Sequence, residues 1–343
     1  DVDHVGILWQ DKTGLITTTD IVNAPSAPYN GDTPLTSYDY VKFVVSDSNI
    51  GQGNAVIAAY DSGNNVLWAW HVWVTDQVYE NSGDDDQRHN SITLSDGSST
   101  HDVMPVPLGW VATTDNYGFY DERNVYMKLQ QVDADGIAIP NGQTATVLIH
   151  QNADQDLVGG TVPYYQWGRP VPLPSAATVK YITTADEALH YPQYAVRVSG
   201  QQYWFGTASN LWGGTADGSA TTKSLCDPSP IGYKVAPQSA FSGISADLVL
   251  NHSASQGAYF YTSPAKTATI FIPATGYKDC GQEESTAPVK SNAGMGYYWT
   301  SRYDSASPTA ASSLYVDPAS TITVTLPYAR KNLDALAVWP VKE

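Results

Sequence analysis

The sequence predicts a mainly β protein, with a β-sandwich over residues 1–155 followed by an α+β domain over 156–343. Three observations carry this. At 343 residues the chain is longer than one ordinary core accommodates. Its first half consists of alternating or continuous apolar runs joined by turn residues, without helical periodicity. Gln151 to Gly160 is polar and ends in Gly-Gly, the composition of a linker.

From the amino end, Tyr40 to Val45 alternates, with Val41, Phe43 and Val45 on one face and Lys42 on the other, as a half-buried strand should. Ala55 to Tyr60 and Val66 to Val74 are apolar runs joined by Asp61-Ser62-Gly63-Asn64-Asn65, a hairpin signal. The second run, VLWAWHVWV, is apolar on both faces, which predicts a central strand. Val125 to Gln130 and Thr146 to His150 flank Asp133-Ala134-Asp135-Gly136 and Asn141-Gly142, and read as another hairpin.

In the second half, Tyr194 to Val198 and Gln202 to Phe205 read as a strand pair. Gln238 to Asn251, entered from Pro237 and interrupted by Gly243, is the clearest helix. Strands follow at Thr269 to Ile272, Tyr297 to Thr300, Thr321 to Leu326 and Leu336 to Val341. Between Ile270 and Ser301 two aromatic-rich runs flank a polar insert, a long loop carried on buried strands, and such loops are where binding usually sits. The stretch from Trp68 to Trp110 could also contribute strands to this half.

The net charge is −17. A surface this acidic repels phosphate backbones, so nucleic acid and anionic lipid are not expected partners. No apolar run approaches the length of a membrane span. No basic segment followed by an apolar stretch opens the chain, so Asp1 reads as a processed end from which an export signal has been removed. Tyr, at 23, far outnumbers Phe, at 6, beside 10 Trp; these residues join apolar area to a polar handle.

Chemistry-bearing residues are sparse. His71 lies between tryptophans, with no carboxylate or His nearby in sequence, and reads as a hydrogen-bonded core histidine. Asp84-Asp85-Asp86 and the pair Asp133 and Asp135 offer oxygens of the type calcium prefers, yet neither forms an EF-hand loop, and Asp-Gly is an ordinary turn. Glu283-Glu284 reads as a solvated charge pair, and no G-x-S-x-G, H-E-x-x-H or phosphate-binding loop occurs. No cofactor and no enzymatic activity are expected. Cys226 and Cys280 could pair in an oxidising compartment, closing a loop worth roughly 4 kcal/mol in the chain-entropy model, or stand as two free thiols. Trp204, Trp212 and Tyr277 lie beside Gly, Ser and Asp, and are the candidates for exposed aromatics on which a sugar ring could stack. Tyr298 and Trp299 are expected in the core.

Several segments together carry a family resemblance: GILWQDKTGLI (Gly6 to Ile16), GNAVIAAYDSGNNVLWAWHVWVTD (Gly53 to Asp76), YYQWGRPVPLP (Tyr164 to Pro174), NLWGG (Asn210 to Gly214), KSLCDPSPIGYKVAPQSAF (Lys223 to Phe241), FIPATGYKDCG (Phe271 to Gly281), GYYWTS (Gly296 to Ser301) and the ending LAVWPVKE. In this order they resemble Bacteroidales surface proteins that carry a Fibrobacter succinogenes major paralogous domain, including fimbrial tip adhesins. The resemblance implies a fimbrillin-like sandwich followed by a C-type-lectin-like domain. It further implies an exported adhesin of the cell surface or an outer-membrane fimbrium. Its partners would be other fimbrial subunits, joined by strand addition, and a glycan or protein ligand. A secreted carbohydrate-active enzyme or its accessory module, and a structural fimbrial subunit without its own ligand, are the alternatives. The chain departs from the pattern at Ser229, where relatives often carry Cys, and at MPVPLGW (Met104 to Trp110), where many have D-R-N-L-G-A.

Overall fold

The computed structural model describes residues 1–22, 40–45, 51–75, 91–113, 119–120, 123–151, 154–155, 159–175, 181–184, 187–197, 210–280, 289–290, 294–305 and 309–343. The protein is mainly β, 50% strand and 4% helix, in several antiparallel sheets. Its contacts define two compact units, Asp1–Thr113 with Gly159–Glu343, and Thr114–Val158. They therefore divide the chain at 113 and 159, whereas composition alone placed one boundary at 155.

The smaller unit holds the hairpin expected from its turn residues. Arg123–Gln130 pairs with Thr144–Gln151 in unbroken register, so Val125, Met127 and Leu129 share a face with Val147 and Ile149.

In the larger unit, β1 (His4–Gln10), β2 (Ile16–Val22), β3 (Tyr40–Val45), β4 (Gly53–Tyr60) and β5 (Val66–Val74) make two small antiparallel sheets, ordered β1-β4-β5 and β2-β3. They enclose Leu15, Ile16, Ala55 and Ile57, with Ile7, Val41, Val45, Val72 and Val74 packed at the margin. The turn between β4 and β5 is fixed by Asp61, whose Oδ1 accepts from the amides of Gly63 at 2.9 Å and Asn65 at 2.8 Å. Asn64, at φ 62°, supplies the left-handed residue.

β5 is not the central strand its composition predicts; β4 is, and β5 lies at the sheet's edge. The two apolar faces have another cause. Val72 and Val74 pack into the sandwich, while Trp73 packs on the other side against the carboxyl-terminal core and donates its indole N–H to Trp110 O at 3.1 Å. β5 is a wall shared by two cores.

The carboxyl-terminal region centres on a seven-stranded sheet. Its main path runs Val289–Lys290, Tyr277–Lys278, Ala335–Val338, Gly296–Tyr303, Ala310–Asp317, Thr323–Lys331, and Tyr165–Gln166 also pairs with Ala335–Val338. A four-stranded sheet joins Tyr233–Val235 and Pro340–Lys342 to β7 (Thr100–Val103) and β6 (Ile92–Ser95). Buried tryptophans fasten this region. Trp299 Nε1–H donates to Tyr165 O at 2.7 Å, Trp167 to Thr300 O at 3.1 Å and Trp339 to Met104 O at 2.6 Å. Each indole buries a large apolar area and satisfies its one donor on a carbonyl distant in sequence.

The helix expected over Gln238 to Asn251 does not form. Two 3-10 turns, Gln238–Phe241 and Ala246–Leu248, lead into the strand Val249–Ser253. The cause is Gly243, whose backbone lies so close to β6 that an added Cβ would fall 2.4 Å from Ser95 O. Ala240, Phe241 and Ile244 are buried around this approach, so tertiary packing overrides helical propensity. Gly243→Ala is expected to cost roughly 1–3 kcal/mol, because a rigid backbone must move to admit the methyl group; urea denaturation measures it. The strand expected at Tyr194 to Val198 is reduced to Ala195–Val196, paired in parallel with Tyr181–Ile182, and Gln202 to Phe205 lies outside the described residues.

Candidate functional site

Among the described residues the sandwich is open on one side. β3 and β5 each end their sheets, as β2 and β1 do at the opposite ends, and among the described residues neither has a neighbour on its outer edge. Between them lies a cavity of about 380 Å³ lined by Val41, Phe43, Ile57, Trp70, His71 and Val72. Alternation on β3 turns Val41 and Phe43 to the same side, and the pairing of β4 with β5 sets Ile57 opposite Trp70. Phe43 is 40% exposed, Trp70 38% and Trp68 47%, unusual values for side chains of this size. The one-turn helix Glu187–His190 approaches β5, with His190 near Asp61 at the hairpin turn.

Two edges that are unpaired among the described residues, over an apolar floor, have a definite chemical capacity. An extended segment can place its backbone groups on an edge and alternate side chains in the groove. The sequence reveals the strands but not this opening, because patterning reports which faces are apolar and not whether a neighbour covers them.

Beneath the groove runs a buried polar chain. Asn54 donates from Nδ2 to Asp11 Oδ2 and to Gly109 O, both at 2.9 Å, which leaves its Oδ1 to accept from His71 Nε2–H at 3.0 Å. His71 Nδ1 then accepts from the hydroxyl of Tyr165 at 2.9 Å. Burial holds the imidazole neutral, with its pKa lowered to about 3, and raises the Tyr165 hydroxyl well above its usual value. Every member is satisfied in one tautomer, and Tyr165 is fully buried, so the chain joins the sandwich to the carboxyl-terminal sheet. His71 is the hydrogen-bonded core histidine the sequence suggests.

A second ionisable cluster lies in the seven-stranded sheet. Arg330 stacks 3.9 Å from the ring centroid of Tyr277 and donates from Nη2 to Asp334 Oδ2 at 2.6 Å. Burial outweighs that contact and lifts the Asp334 carboxyl to about 7.

The structure corrects several expected site residues. Trp212 is fully buried, tilted against Trp167 with ring centroids 5.6 Å apart, and donates to Cys226 O at 2.9 Å. Tyr277 is 7% exposed, with Arg330 over its face and Tyr297 at its edge. Neither offers a ring to a sugar in solvent. Adjacency to Gly and Asp signals a loop, and here the loop residues bend around aromatics that fill the core. Trp204 lies outside the described residues, as do Asp84-Asp85-Asp86 and Glu283-Glu284. Asp133 forms a turn, its Oδ1 accepting from the amides of Asp135 at 3.0 Å and Ile137 at 2.8 Å. Among the described residues, no group of three or more His, Cys, Asp or Glu could hold a metal ion. Cys226 and Cys280 are free thiols: Cys280 is buried in one hydrophobic cluster while Cys226 packs at the margin of another. No helix among the described residues is long and apolar enough to cross a membrane.

A scan against protein-family models found no match, and searches of curated proteins and of solved structures found none either.

Proposed function

We propose that the chain is a surface adhesin or fimbrial subunit. Its fimbrillin-like sandwich accepts a strand from a neighbouring subunit, and its carboxyl-terminal, C-type-lectin-like region presents a binding surface to a glycan or protein. The observation that carries this reading is the groove between β3 and β5. Apolar residues at sheet edges are an aggregation hazard that most proteins blunt with charge or proline, and here Val41, Phe43, Trp70 and Val72 line the opening. Burying about 100 Å² of further apolar surface on each of Phe43 and Trp70 would contribute several kcal/mol at roughly 25 cal/mol per Å². Association and ordering cost at least as much, so the backbone hydrogen bonds along the strand edge must supply the remainder.

The reading is tested with a nine-residue peptide alternating isoleucine and threonine, matched to the nine residues of β5. The intact protein is expected to bind it with a blue shift in tryptophan emission. Trp70→Glu is expected to weaken binding at least tenfold while leaving the thermal midpoint within a few degrees, because the side chain is already part-exposed. Unchanged affinity in Trp70→Glu, or no binding at all to the intact chain, would count against strand acceptance.

A further inference from the structure

The hairpin of Arg123–Gln130 with Thr144–Gln151 carries a second exposed apolar surface. Register sets Val125 opposite Ile149, Met127 opposite Val147 and Leu129 opposite Ala145, so these side chains share one face. The five larger ones are between 40% and 48% exposed. The other face is mixed, with Lys128, Gln130 and Thr146 beside Tyr126 and Leu148. Among the described residues no third strand joins the pair, so both of its outer edges are unpaired as well. A lone two-stranded hairpin is at best marginally stable in water, and this one leaves a contiguous apolar strip on the order of 400 Å² uncovered.

The strip has the pattern the groove requires. On β5 the side chains of Trp68, Trp70, Val72 and Val74 alternate onto one face; Val72 and Val74 pack in the sandwich, while Trp68 and Trp70 are exposed. Val125, Met127 and Leu129 repeat that two-residue period along a strand of eight residues, against nine in β5. Set edge to edge, the two runs make one apolar face of cross-strand pairs. None of these side chains is charged, which matters between copies that each carry a net charge of −17.

Area selects the arrangement. Two hairpin faces laid on each other would bury about 800 Å² in all, the size of a packing contact, and would leave the groove uncovered. Laid along the groove, the strip covers Phe43, Trp68 and Trp70, so that about 700 Å² of apolar surface leaves water. The backbone shared along the edge brings the total to about 1,000 Å² or more, where specific association begins.

We infer that the occupant of the groove is the hairpin of a second copy of this chain, with one outer strand along β5 or β3 and its apolar face turned into the opening. The inference rests on the reading of the groove as a strand acceptor. Donor and acceptor are different surfaces, so the contact is heterologous, and each copy can give a hairpin while receiving another.

Sedimentation velocity of the intact chain in about 0.15 M salt, which screens the repulsion between copies, tests this. Wild type is expected to self-associate to a size that rises with concentration, and excess isoleucine–threonine peptide is expected to return it to monomer. Met127→Glu and Trp70→Glu should each associate at least tenfold more weakly when alone. A one-to-one mixture of them should form a heterodimer, because the first keeps its groove and the second its hairpin. Tyr126→Ser, on the other hairpin face, should associate as wild type does. A wild-type chain still monomeric at roughly 100 μM would overturn the assignment. If that monomer binds the peptide, the groove reading survives alone; if it does not, both fall. Association kept in Trp70→Glu and lost in Met127→Glu would mean that hairpin faces pair with each other, and a mixture of the two variants that forms no heterodimer would equally overturn the inference.

Discussion

Replacing Trp299 with alanine is expected to lower stability by about 3–5 kcal/mol, the range for truncating a large buried aromatic. Trp299 is fully buried, packs in a core cluster with Tyr165, Trp167, Trp212 and Tyr297, and donates its indole N–H to Tyr165 O. Truncation leaves a cavity in a sheet whose strands cannot close over it and removes a buried carbonyl's partner. For a unit of this size the thermal midpoint should fall by on the order of 10 °C. Trp299→Phe should fall between, restoring most of the volume but not the donor. The control is Trp68→Ala, at an exposed position, where the change should stay near 0.5 kcal/mol. Calorimetry of the three variants separates them. Equal losses at Trp299 and Trp68 would mean that the burial assigned to Trp299 is wrong.

The second large effect is acid sensitivity through His71. Its folded pKa, near 3, lies below the ordinary value of 6.5, so between those limits the unfolded chain binds a proton that the folded protein refuses. Stability should therefore fall as pH drops from about 6.5 towards 3, by up to roughly 4 kcal/mol for this one group. Asp334 acts with the opposite sign. Its folded pKa is raised to about 7, so the folded state holds the extra proton between about 4 and 7, and stability from this group is lost as pH rises through that window. The two slopes overlap, and the difference between wild type and His71→Gln isolates the histidine. Glutamine can donate to Asn54 and accept from Tyr165 without titrating. Denaturation midpoints across pH 3–7 should show a shallower acid loss in His71→Gln. Parallel curves would show that the imidazole is not the buried neutral group described.

Much of the fold is legible in the chain because strands announce themselves by local pattern. The β4–β5 hairpin is visible in two apolar runs and the turn Asp61-Ser62-Gly63-Asn64-Asn65, and Asp61 and Asn64 perform the turn chemistry their identities suggest. Tyr298 and Trp299, expected in the core from an uninterrupted aromatic run, are both fully buried. What pattern cannot convey is neighbourhood. β5 reads as central because it is apolar on both faces, and only the coordinates reveal that one face serves a second core. Gly243 reads as a flaw in a helix, when it marks the place where two backbones meet. Trp212 and Tyr277 sit among loop residues and are nonetheless interior, since a loop's composition does not say which way its aromatics turn.

The central proposal is that the groove between β3 and β5 accepts a strand from a partner. Hydrogen–deuterium exchange of the intact protein, with and without the alternating isoleucine–threonine peptide, tests it most directly. Acceptance should slow exchange in β5 or β3, the strands that flank the groove and whose outer edges are unpaired among the described residues, and leave β4, already bonded on both sides, unchanged. Protection spread evenly over the sheet, or none in either edge strand at saturating peptide, would contradict the account.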